Sequence, residues 1–188
     1  MTGLLKWSLS YLYSLDSDDF NNPVNWERPS QNDTPYYDSR WNIPYAWFFL
    51  FSPFDVKLVD VFFENSHWQE TKFFAHKASA LKRFAARKPL LLKMVTSPFG
   101  FEAILDHFAE TIALRLGNCL FMDPSEVFSG FIPETDEENF AHCKHILRQL
   151  EAENVRVEDV KAVIGYYSDF DSQDEMSFRM NSIGATYA

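Results

Sequence analysis

The chain has 188 residues, of which 27 are acidic and 17 basic, giving a net charge of −10. That balance excludes the dominant basic surface that phosphate neutralisation requires, so no nucleic-acid partner is expected. The two cysteines, Cys119 and Cys143, form no spaced framework, and this points to a reducing, cytoplasmic setting.

Aromatic residues make up 17% of the chain, including 19 Phe, which suits both a core and interface anchors. The charge is uneven. Residues 1–70 carry a net −6, residues 71–97 a net +7 and residues 98–188 a net −11. The first six residues lack the basic-then-apolar pattern of a secretory leader. The most apolar run, Ile43 to Phe54, is broken by Pro44 and Pro53 and is too short to cross a bilayer, so no membrane partner is expected.

In chain order, Trp7 to Leu15 alternates strictly. Trp7, Leu9, Tyr11, Tyr13 and Leu15 share the face expected to be buried, and Ser8, Ser10, Leu12 and Ser14 the other. Residues 16–42 read as a long polar connection carrying Trp26, Tyr36, Tyr37 and Trp41. Pro44 opens a short buried helix or strand over Tyr45 to Ser52. Asp55 to Glu64 reads as a strand with apolar residues on both faces, which suggests a central position.

Thr71 to Lys88 fits an amphipathic helix with Phe73, Phe74, Lys77, Ala78, Leu81, Phe84 and Ala85 on one stripe, ended by Pro89. Leu90 to Val95 reads as a short strand or turn. Phe99 to Leu116 is a second helix with Ile104, Leu105, Phe108, Ile112 and Leu116 as its apolar stripe. Cys119 to Met122 is a short buried strand, and Asp123-Pro124-Ser125 a turn. Thr135-Asp136-Glu137-Glu138 is a capping box opening a helix to about Glu153. Val157 to Ile164 is a last helix. The expected fold is α+β, a small and mostly antiparallel sheet packed against several helices. Residues 1–165 form one domain and 166–188 an acidic, loosely attached tail.

The chemistry-bearing clusters are sparse. His142 and His145 lie three apart on a helix, but Cys143 between them points to the apolar stripe, so the motif supplies at most two of the ligands that zinc needs. Asp106, His107 and Glu110 set carboxylates beside an imidazole, as an acid–base pair or as a solvated face. The basic helix, with Lys72, Lys77, Lys82, Arg83, Arg87 and Lys88, reads as a face pairing with acids elsewhere or as a docking face. No Gly-x-Ser-x-Gly elbow or Gly-rich phosphate loop occurs, so neither a catalytic residue nor a cofactor is expected.

Ser10-Tyr11-Leu12-Tyr13-Ser14, with Trp41-Asn42-Ile43-Pro44-Tyr45 and Leu120-Phe121-Met122-Asp123-Pro124-Ser125-Glu126, resembles a family of uncharacterised bacterial proteins that open on a Ser-Tyr-Leu-Tyr-Ser strand. The resemblance implies an immunity-protein-like role, the inhibition of a toxin used in bacterial competition. The expected partner is therefore a cognate toxin or effector protein with a basic surface, blocked at its active site or substrate groove. The alternatives are an adaptor or secretion chaperone for an effector, and a small enzyme with His107 or His142 in a pocket. Candidate contact residues are Asp16, Asp18, Asp19, Trp26, Tyr36, Tyr37 and Trp41, with Asp136, Glu137 and Glu138.

Overall fold

The computed structural model describes residues 9–15, 37–40, 42–63, 66–95, 99–131, 135–152, 155–165, 170 and 174–186. Its elements are β1 (Leu9–Leu15), β2 (Tyr37–Arg40), α1 (Tyr45–Phe48), β3 (Val56–Phe63), β4 (Ser66–His76), α2 (Lys77–Met94) and α3 (Phe101–Leu114). There follow β5 (Cys119–Asp123), α4 (Ser125–Phe131), α5 (Asp136–Glu151), α6 (Val157–Ile164), α7 (Glu175–Ile183) and β6 (Ala185–Thr186). The fold is α+β. The strands form one antiparallel sheet in the order β3-β4-β5-β1-β2-β6. No described helix is long and apolar enough to cross a membrane.

Strand pleating sorts the sheet into two faces. Leu12 lies level with Met122 and Tyr37, and Phe73 with Met122 and Val56, so these five share the face that meets the main core. In β1 this reverses the expected sidedness. Ser10 and Leu12 are fully buried, whereas Leu9, Tyr11 and Tyr13 are half-buried. The Ser10 hydroxyl is accommodated there because it donates to the Asn42 carbonyl at 2.7 Å. On the opposite face the rings pack on one another, Tyr13 against Phe121 at 5.7 Å and Phe121 against Phe74 at 4.7 Å. Tyrosine tolerates half-exposure because its polar tip stays wet while its ring packs.

β4 is the main departure from the sequence reading. Thr71 to Ala75 lie in a strand flanked by β3 and β5 and are buried on both faces. A central strand of this kind loses its polar–apolar alternation, and Phe73 and Phe74 then fit a helical stripe equally well. The helix starts at Lys77 instead and runs through Pro89 to Met94, so Leu90 to Met94 are its last turns and not a strand. Burial of Leu91 and Met94 holds the helix beyond the proline. Because Pro89 is exposed and lacks the N–H that would bond one turn back, Pro89→Ala is expected to stabilise the fold by about 1–3 kcal/mol, read from denaturant midpoints. β3 is an edge strand and not a central one. It carries apolar residues on both faces, with Val56 and Val59 buried, and α5 packs against it.

The stretch from Ile43 through Phe51 is the centre of the core, with Ile43 and Tyr45 to Phe51 all fully buried. The Trp47 indole N–H donates to the Ile183 carbonyl at 2.9 Å, and Phe48 and Phe51 both meet Phe73 edge-on. Residues 166–188, expected as a loose tail, supply α7 and β6. Asp174 caps α7 by accepting from the Ser177 N–H at 2.9 Å, Phe178 and Ile183 are buried, and β6 pairs with β2. The Asp123–Ser125 turn opens α4, whose Val127 and Phe128 are buried. In α3 the stripe Ile104, Leu105, Phe108 and Ile112 is buried as expected, but Leu116 lies past the helix end and is exposed. The capping box of α5 forms with both of its bonds.

Candidate partner-binding surface

The surface is built outward from one buried cation. Lys72 of β4 is 2% exposed, and its Nζ lies 2.6 Å from Glu70 Oε2 and 2.6 Å from Asp123 Oδ1. It also donates to Ser125 Oγ at 3.2 Å, so all three ammonium protons have acceptors. Ser125 in turn donates to Asp123 Oδ1 from its hydroxyl at 2.6 Å and from its backbone N–H at 3.0 Å. Burial opposes both charges, but mutual attraction outweighs it. The Asp123 carboxyl is held below its ordinary range, and the Lys72 ammonium above its own.

A serine beside a lysine is also the outline of a nucleophile and its base. Here two carboxylates keep the lysine protonated, and the serine proton is already committed to Asp123. The cluster is therefore an anchor and does not activate a nucleophile.

What the anchor holds is Glu70. Its second oxygen, Oε1, accepts the Trp68 indole N–H at 2.8 Å, and Trp68 stands 38% exposed on the β3–β4 hairpin. Across the hairpin Asp60 accepts from Gln69 at 3.0 Å and lies 3.0 Å from His67 Nε2. The Gln69 bond leads in lowering its pKa, with His67 adding to it.

The first turn of α5 meets β4 through the neighbouring residue on the strand's other face, where Thr71 Oγ1 donates to the Asp136 carbonyl at 3.2 Å. Burial and the nearby Glu70 carboxylate raise the Asp136 pKa, with Lys72 partly offsetting them. Glu137 is exposed. Glu138 accepts the Thr135 N–H at 2.8 Å, a bond that lowers its pKa. The structure thus brings Asp136, the first residue of the acidic turn, near Glu70, the carboxylate that holds the exposed Trp68 indole. Trp68 and Glu70 escape sequence reasoning because only the hairpin register and the Lys72 tether place Glu70 near Asp136 and fix the indole on it.

The other sequence candidates fare differently. Tyr37 is a core residue and not a surface anchor. It lies in β2, is fully buried, and packs edge-on against Phe108 at 5.0 Å. Its ring satisfies the need of a loop aromatic for cover within the domain itself. Asp16, Asp18, Asp19, Trp26, Tyr36 and Trp41 lie outside the described residues.

Much of the positive segment is engaged internally. Arg83 pairs with Asp55 at 2.7 Å, Arg87 with Glu151 at 3.1 Å, and Lys88 with Asp106 at 2.6 Å and Glu102 at 3.2 Å. In α5, Cys143 is buried and His145 exposed, and among the described residues no group of three His, Cys, Asp or Glu is placed to hold a metal ion. His107 lines a groove with Glu175 of α7. No family model, curated protein or solved structure matches the chain.

Proposed function

We propose that this protein is an immunity protein, a cytoplasmic inhibitor that binds a cognate bacterial toxin and covers its active site or substrate groove. The observation that carries the reading is Trp68, an exposed indole fixed by Glu70, a carboxylate that also lies near Asp136 at the start of the acidic turn Asp136–Glu138. A rigid amphipathic ring held against a carboxylate suits a basic partner. The ring provides desolvated contact area, and the acids speed encounter and set orientation. The tether to Lys72 preorganises Glu70, so less entropy is lost on binding.

The test is co-expression with a toxin encoded beside it, followed by affinity measurement on the purified pair. Trp68→Ala is expected to weaken binding by about 2 kcal/mol or more and to leave the melting temperature of the free protein unchanged. Charge reversal at Glu137 is expected to slow association and flatten its salt dependence. A co-expressed pair that neither protects cells nor forms a complex would sink the reading. Binding only to an extended targeting segment of the client would make the protein a secretion chaperone. The groove holding His107 and Glu175 is the observation that favours an enzyme, and turnover abolished by His107→Ala would establish that reading instead.

A further inference from the structure

The groove between α3 and α7 is built from different residues. It encloses about 540 Å³, inside the range of roughly 300–1,000 Å³ typical of small-molecule sites. Met176, Met180 and Ile183 give it apolar walls, and His107 and Arg179 give it polar ones. Unbranched thioethers adapt their shape to whatever apolar group they meet.

Its polar side is under-supplied with acceptors. Among the described residues the Arg179 guanidinium pairs only with Glu175, at 3.8 Å and outside hydrogen-bond range, and both side chains are substantially exposed. The groove therefore sets a weakly paired guanidinium beside an apolar wall.

We propose that this groove binds a small amphiphilic carboxylate, its apolar tail lying along Met176, Met180 and Ile183 and its carboxylate taken by Arg179 and His107. A planar guanidinium presents paired N–H groups that match the two carboxylate oxygens. A cation would be repelled by Arg179, and a purely apolar ligand would cover these donors without satisfying them. Glu175 stands at the rim as the weak internal substitute that the ligand carboxylate displaces.

Calorimetric titration of the full chain with octanoate, and with octanol as a tail lacking the charge, tests this. Saturable binding of one octanoate is expected, with octanol about tenfold weaker or worse. Arg179→Gln is expected to bring octanoate down to the octanol level. Met180→Trp, which fills the groove, is expected to abolish both without lowering the melting temperature. The proposal is overturned if octanoate shows no saturable binding near about 1 mM, if octanol binds as well as octanoate, or if Arg179→Gln binds octanoate like the parent protein. Because Arg179 is exposed, the variant keeps its fold, and Met180→Trp supplies a second, independent readout.

Discussion

Lys72→Met is expected to destabilise the protein by about 3–5 kcal/mol, because it leaves Asp123 and Glu70 buried or half-buried without their cation. Removal of one partner is far costlier than removal of the whole cluster. Combining Lys72→Met with Asp123→Asn and Glu70→Gln should therefore recover most of the loss, since the remaining groups no longer carry charge. Urea melts of the single and triple variants decide it. A single variant within about 0.5 kcal/mol of the parent would mean that the cluster is not the anchor described.

The same cluster predicts a pH profile. Asp123 has a folded pKa below its unfolded value, so its contribution is present above about pH 4 and disappears as pH falls through the depressed folded value. Lys72 has a folded pKa above its unfolded value, so its contribution is present below about pH 10 and disappears as pH rises through the folded value. Stability should form a plateau between those limits. In the triple variant both shoulders from this cluster should flatten.

Trp47→Ala is the second large effect, at about 3–5 kcal/mol from the cavity alone. The indole is fully buried and its N–H satisfies the Ile183 carbonyl at 2.9 Å, so the substitution also leaves a carbonyl unpaired at the end of α7. Gly184 follows directly, with φ 81 and ψ −179, a conformation open essentially to glycine. A Cβ there would sit 2.5 Å from the Asp38 carbonyl oxygen and 3.1 Å from the Trp47 ring. Gly184→Ala should therefore loosen β6 from β2 as well as lower stability. Hydrogen exchange should register this as faster exchange across β2 and α7, with β3 and β4 unaffected at low denaturant.

The elements legible in the sequence are those whose signals are local. The Thr135–Glu138 box sets the start of α5, and Val157 to Ile164 is a helix over the expected span. The failures share a cause. Burial of β4 on both faces erases the alternation that marks a strand, and the Ser10–Leu12 face of β1 is buried only because α1 and its neighbours cover it. For the C-terminal segment, acidic composition hides Phe178 and Ile183, whose partners lie far away in the chain. The candidate surface was half legible: the acidic turn is a local motif, whereas the link to Glu70 and Trp68 depends on tertiary register.

The strand order has a consequence for the chain as it is made. Of the described strands β1 emerges first and pairs with β2, yet its other neighbour β5 lies more than a hundred residues downstream, and β2 gains its outer neighbour only when Ala185 and Thr186 appear. The early half of the nascent chain therefore carries the β1–β2 and β3–β4 pairs with open edges, and the aromatic run 43–51, before β5 exists to join them. High contact order slows closure further, because distant segments must meet before either is rewarded. Truncation a few residues before the end should therefore yield aggregates, since the unfinished sheet exposes a strand edge and core aromatics together.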